Sequence, residues 1–270
     1  MPVVEVRGEK SWCKNTPLDQ FRLTMGWLIG FVLVVVCWQV IARNTLWFLV
    51  WDAPQQVSEF ISRMFPPRWE YLNELWLPLW DTFNIATLGT ALAVILAVPL
   101  AFLAAQNTTP HPVVRQIALL AIVTSRTINS LIWALILVAL LGPGSLAGMF
   151  AIMLRSVGFV GKLLYEQIEE ISTEPVEAIT ATGASQAQIL AYGIVPQVLP
   201  AFVGISVFRW DINIRESAVL GLVGAGGIGV KLQSSVNGLQ WFQVSVIFAC
   251  IFVMVLMSEW VSARVRKAII

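Results

Sequence analysis

Six apolar runs punctuate this sequence, at residues 25–42, 83–105, 117–141, 146–164, 198–223 and 242–261. Each is roughly 20 residues long, the length an α-helix needs to cross the hydrocarbon core of a bilayer. No other feature constrains the fold as strongly: it predicts an all-α, polytopic transmembrane helical bundle of about six spans. Composition agrees, with 57% of the 270 residues hydrophobic and 12% charged, against about 25% charged in a typical soluble domain. The mean hydropathy is +0.77. A net charge of +1 supplies no polycationic field, which excludes nucleic acid as a partner and leaves membrane lipid as the surroundings.

An even number of spans puts both termini on one side of the membrane. Arg7, Lys10, Lys14 and Arg22 precede the first run, and Arg264, Arg266 and Lys267 follow the last, so that side is expected to be the cytoplasm. No small-x-small cleavage site follows the first run, which therefore reads as an uncleaved anchor behind a cytoplasmic tail, 1–24. Residues 25–270 then form one transmembrane domain with a cytoplasmic loop at 165–197. Residues 43–81 carry five acids, three arginines and many Trp and Pro residues. They are expected to form an outside loop with Trp47, Trp51, Trp69, Trp76 and Trp80 at the interface. Around the 165–197 loop, Lys162 stands against Glu166, Glu169, Glu170, Glu174 and Glu177, so parity and not its own charge places it inside.

Metal chemistry finds no ligands. His111 is the single histidine, in a turn-like TTPHP, and Cys13, Cys37 and Cys250 are far apart with no C-x-x-C; no metal site is expected.

Between the fourth and fifth runs, residues 174–200 read EPVEAITATGASQAQILAYGIVPQVLP, small and polar where the flanks are apolar. Gly183 can end one short helix, because only Gly takes positive φ without strain. Ser185 can cap a second, with Gln188 three residues on as its capping-box partner, before Pro196 and Pro200 return the chain to the membrane. The result is a helix–turn–helix with small side chains, shaped to lie in another protein's groove. An interfacial helix lying on lipid is disfavoured, because its polar face lacks Lys and Arg.

Glu177-Ala178-Ile179, then Gly183, then Val195-Pro196 resemble the EAA loop of ABC importer permeases. Two positions depart from that pattern: Ile179 fills the third EAA place, and Gly193 stands where Ile is usual. FRWDINIRESAVLGLVGAGGIG, residues 208–229, is similar to the phosphonate/phosphite branch in particular, and the resemblance runs from about the second span to the C-terminus. It implies a type I importer permease-like fold in a bacterial inner membrane, with Glu177, Ala178, Gly183 and Pro196 in the loop that docks an ABC ATPase. It also implies a periplasmic or lipid-anchored substrate-binding protein delivering a phosphorus oxyanion: phosphonate, phosphite, hypophosphite or phosphate. The chain has no G-x-x-x-x-G-K-[ST], so ATP and Mg are expected on the partner ATPase, with no cofactor in this chain and no enzyme activity of its own. Six spans are few to enclose a path, which calls for a second permease subunit, identical or paralogous.

GAGGIG follows a span and not a strand, so its G-x-G-x-x-G is no dinucleotide fingerprint. Gly224, Gly226, Gly227 and Gly229 read instead as a gate element or a tight turn.

Arg126, Arg155, Arg209, Asp211, Arg215 and Glu216 fall within the runs, where an unpaired charge costs roughly 2.5–3.5 kcal/mol on insertion scales. Asp211 and Arg215, four apart, are expected to form a structural ion pair, with Arg209, Asn213 and Glu216 on the opposite face. At about 1.5 Å per residue, Arg126, Arg155 and Arg209 lie at one depth, roughly 20 Å in. Three arginines at one level suggest an anion path, with Asn129 and Ser130 on the face of Arg126. The alternative is arginines neutralised by Glu216 and backbone carbonyls. Two other classes are weaker: a lipid-phosphate enzyme would need clustered acids or histidines, and a secondary transporter would show more spans and internal repeats.

Overall fold

A computed structural model describes residues 3–6, 9–12 and 17–269, with side chains from 18 to 268. Arg7, Cys13 and Lys14 lie outside the described residues. The chain divides into two units, residues 1–60 and 61–270, where the sequence alone suggested a boundary at 24.

The first unit opens with an antiparallel hairpin, β1 (Val3–Val6) and β2 (Glu9–Trp12), in register Val3 to Trp12. Among the described residues, these eight are the one departure from an all-α chain. Helix α1 (Pro17–Asn44) follows, with Asp19 in its first turn and Arg43 in its last, each placed to complement the helix dipole. None of its apolar window is buried within the protein, as expected of a helix whose solvent is lipid. Helix α2 (Trp47–Met64) starts at once, the Trp47 indole N–H donating to the Ala42 carbonyl at 3.0 Å. The expected loop at 43–81 is therefore corrected to a largely helical segment: α2, a short connection, a 3-10 turn at Trp69–Tyr71 and the first turns of α3. Its prolines misled, because Pro54 and Pro78 both sit inside helices, each removing only one hydrogen bond from a long ladder.

The second unit is built on α3 (Leu72–Ala104) and α6 (Ser145–Glu169). Helix α3 is about 50 Å long at its 33 residues, longer than the span read from hydropathy. Its buried face is Ala86, Gly89, Ala93, Ala97, Ala101 and Ala104, a small-residue stripe at helical spacing. Apolar lipid gives no hydrophobic drive for helices to associate, so close backbone approach and packing must supply it. Gly89 shows how close: an added Cβ would lie 2.8 Å from the Ile152 side chain of α6.

The third apolar run is not one helix. It forms α4 (Pro112–Thr127) and α5 (Ser130–Leu141), bent by 89° at the break. Asn129 causes the restart, its side-chain oxygen accepting from the Leu131 amide at 3.1 Å as an N-cap. Asn129 and Ser130 therefore do not continue the face of Arg126, which corrects that expectation; helical i+3 and i+4 geometry ends with α4. Both halves still track α6 from its C-terminal towards its N-terminal half. Ile122 packs on Gly161, the backbone at Arg126 reaches Gly158, and Ala134 clusters with Ala151 and Ile152. Five helices among the described residues are long and apolar enough to cross a membrane, and counting the bent pair as one broken span makes six.

A short loop follows α6 through α7 (Thr173–Ala181), the single turn α8 (Gln186–Gln188) and a π-helical stretch Ile189–Ile194. Helix α9 (Val195–Leu220) returns through the bundle, and α10 (Ile228–Asn237) and α11 (Trp241–Ile269) complete it. Tyr71, Leu75, Ala218, Ile228, Val246 and Ile247 form one core cluster at one end, and Ala101, Ala105, Leu164, Ile168, Ile194 and Val198 another below the loop.

Candidate functional site

The loop is built as its sequence suggests. Gly183 takes φ +79° and closes α7, with the Gly183 amide donating to the Thr180 carbonyl. Ser185 and Gln188 form a capping box, the Ser185 amide donating to Gln188 Oε1 at 2.8 Å. Glu177, Ala178, Gly183 and Pro196 are all exposed. Their base is held by a residue that spacing gave no reason to single out. Gln197 accepts from the Ser172 amide at 3.1 Å and donates to the Gly193 carbonyl at 2.7 Å, tying the two ends of the loop together.

The two departures from the EAA pattern explain each other. A Cβ on Gly193 would sit 3.4 Å from Ile179 Cδ1 and 3.6 Å from Val176. The two positions therefore face each other across the loop, and a side chain longer than Ala at 193 would grow from a Cβ already in contact with Ile179.

Midway along the bundle, α6 and α9 bring ionic groups together. Arg209 of α9 is 2% exposed. Its Nε donates to Ser156 Oγ at 2.9 Å, its Nη2 lies 3.3 Å from Glu216, and its guanidinium covers the Phe159 ring at 5.0 Å. Ser156 is shared: Asn213 donates to its Oγ at 3.0 Å and to Thr90 Oγ1 at 2.7 Å, joining α3, α6 and α9 in one buried polar seam. Arg155 of α6 lies on the other side of Glu216 at 3.8 Å and donates to Asn129 Oδ1 at 3.0 Å and to Ser130 Oγ at 3.4 Å. Asn129, Ser130, Leu131, Arg155, Arg215 and Glu216 are among the residues lining an open cleft of about 280 Å³. Arg126 is exposed at the end of α4, and among the described residues no ion pair joins it to this group. The expected set therefore divides: Arg155, Asn129 and Ser130 meet at the cleft, Arg209 stands behind it, and Arg126 stands apart.

Asp211 and Arg215 form the expected i,i+4 ion pair, and Ser258 of α11 donates to the second Asp211 oxygen at 2.6 Å. The pair anchors α9 to α11. Ser258, Ser156 and Thr90 were missed because lone hydroxyls in apolar spans carry no spacing signal.

The glycine turn is packed from every side. Gly224, Gly226 and Gly227 have φ of +81°, +84° and +73°. A Cβ on Gly226 would come within 2.7 Å of the Ser145 backbone, and one on Gly227 within 2.6 Å of Thr82 Oγ1. Thr82 in turn accepts from the Ile228 amide at 2.7 Å, capping α10. Gly229 leaves no room before the Ala218 carbonyl.

Long apolar helices, a charged seam at mid-length opening on a cleft, and an exposed helical loop at one end define a multi-pass membrane subunit of transport type. Residues 97–267 match the family described as binding-protein-dependent transport system inner membrane component. The phosphite transport system permease protein PtxC of Stutzerimonas stutzeri is 37% identical over 87% of this chain and 85% of its own length. The phosphate-import permease protein PhnE of Mycolicibacterium smegmatis is 39% identical over 81% of this chain and 41% of its own length. Among solved structures, an inward-facing conformation of the MetNI methionine ABC transporter superposes with a TM-score of 0.63 at 18% identity, over 73% of this chain and 96% of that chain. The chain belongs to the binding-protein-dependent inner-membrane component family, as a permease subunit of the ABC importer type.

Proposed function

We propose that this permease subunit moves a phosphorus oxyanion, of the phosphite, phosphonate, hypophosphite or phosphate class, delivered by a periplasmic or lipid-anchored binding protein. The observation that carries the substrate class is the cleft in which Arg155 meets Asn129 and Ser130 at the N-terminus of α5. A helix that begins inside the membrane turns its positive dipole end and a guanidinium towards the same space, the arrangement that favours an anion. The relatives described as phosphite and phosphate permeases support the same class. Arg126 lines the approach in this reading, and Arg209 sets the charge behind it.

ATP and Mg act on separate ABC ATPase subunits, which dock at the loop around Glu177, Ala178, Gly183 and Pro196; both chain termini share that cytoplasmic side. A second permease subunit, identical or paralogous, closes the path. Support for it comes from exposure: the side chains of Arg155, Glu216 and Arg215 are 29%, 19% and 46% exposed at mid-span. Lipid is a costly surrounding for such groups, and a facing subunit with a wet path between removes that cost. Gly224, Gly226, Gly227 and Gly229 serve as a gate element in this reading, and three of the four are glycine because a Cβ has no space there.

Reconstitution tests this. Permease, ATPase and binding protein in liposomes should take up labelled phosphorus oxyanion only with ATP. Arg155→Ala should lose most uptake while the complex still assembles. Uptake without ATP or binding protein, or wild-type uptake by Arg155→Ala, would refute the reading.

A further inference from the structure

Glu216 is the one acid of the mid-span group that touches two arginines, and it holds them unequally. Its Oε2 is 3.3 Å from Arg209 Nη2, whereas its Oε1 is 3.8 Å from Arg155 Nη2, beyond hydrogen-bond reach. Arg209 is otherwise fixed, by Ser156 and by the face of Phe159. Among the described residues, Arg155 is otherwise held by the neutral oxygens of Asn129 and Ser130, and it faces the cleft. Two guanidinium groups against one carboxylate leave one positive charge over, while Arg215 and Asp211 cancel each other. The uncompensated charge thus belongs to Arg155.

We infer that Glu216 is a tethered competitor for the transported anion: it neutralises Arg209 permanently and Arg155 only partly, so that the cleft binds an oxyanion but releases it. The inference rests on the anion-path reading of the same cleft. An oxyanion entering at Arg155 meets the Glu216 carboxylate across it, and repulsion between the two weakens the bound state. Without that acid, two arginines would converge on one anion with nothing to expel it. Conduction of this kind needs binding favourable enough for entry and weak enough for exit.

The test uses the full permease–ATPase complex in nanodiscs, without binding protein, and radiolabelled phosphite and phosphate as probes. Glu216→Gln keeps the size of the side chain and an acceptor for Arg209 while removing the charge. It should bind the probe about tenfold more tightly, equivalent to about 1.4 kcal/mol. In liposomes with binding protein and ATP, the same variant should show a lower maximal uptake rate. A residue of merely structural importance would not tighten anion binding. Unchanged or weaker binding by Glu216→Gln, with Arg155→Ala still abolishing it, would overturn the competitor role and leave the anion path standing. Binding indifferent to Arg155→Ala would remove both. If Glu216→Gln does not assemble, Glu216→Asp decides: its shorter side chain draws the charge back from Arg155 and should tighten binding by a smaller factor. Equal or weaker binding in that variant overturns the role as well.

Discussion

Arg209→Ala is the perturbation whose cost the structure defines best. The side chain is 2% exposed and makes a 2.9 Å bond to Ser156 and a 3.3 Å ion pair with Glu216. Truncating one partner of a buried ion pair costs about 3–5 kcal/mol, because the remaining charge is left without a counter-ion. Glu216 keeps some relief, being 19% exposed and still 3.8 Å from Arg155, so the lower end applies, about 3 kcal/mol. For a chain of this size each kcal/mol shifts Tm by about 2–4 °C, giving a drop of about 6–12 °C. Fluorescence-detected thermal melting of the solubilised complex reads it, together with membrane abundance. Adding Glu216→Gln removes the stranded charge, so the double variant should recover part of the loss, with a coupling of about 1–2 kcal/mol in the cycle. Arg209→Lys should recover less than the double variant, because an ammonium cannot present the separate Nε and Nη donors that reach Ser156 and Glu216. Wild-type abundance and melting for Arg209→Ala, or strictly additive single variants, would refute the assignment of Arg209 as an anchor.

Gly183→Val has open space around its Cβ but a φ of +79°, so its effect is backbone strain of at least about 1–2 kcal/mol; it should leave insertion intact and uncouple uptake from ATP hydrolysis, checked by uptake and phosphate release on one preparation. Gly193→Ile should impair coupling by overfilling the loop, and Ile179→Ala in the same chain should restore it, since the two positions share one volume. Gly226→Ala should reduce membrane abundance far more than Gly224→Ala, because both have positive φ but only the first meets backbone within 2.7 Å. On a background lacking Cys13, Cys37 and Cys250, Glu174→Cys should be labelled by a membrane-impermeant thiol reagent only from the cytoplasmic side; labelling from outside would overturn the six-crossing topology.

What was legible in the sequence follows from the range over which each signal acts. Apolar runs of bilayer length announced the spans, and backbone preferences announced the loop: Gly183 at positive φ and the Ser185–Gln188 box are decided within four residues. The break at Asn129 was hidden because hydropathy runs straight through it, while the cap that restarts α5 is one side-chain bond. Helix α2 was hidden because Pro54, Trp47 and Trp51 resemble loop composition, although one proline removes only one hydrogen bond from a helix of 18 residues. For the charged seam, the residues within the spans set a requirement without naming its solution. Arg209 and Glu216 are two turns apart on one face, and Asp211 and Arg215 one turn apart on another, so spacing within α9 sorted the acids between two sides. Which arginine would come from another helix depended on where α6 crosses α9; the Gly158 contact fixes where α4 lies on α6. The same contact seats Arg155 beside Asn129 and leaves Arg126 at the end of the broken helix, outside the group. Membrane energetics required every such charge to find a partner or water. Of Arg126, Arg155 and Arg209, Arg209 found the partner and Arg126 retains the exposure, and Arg155 stands between them with a share of both.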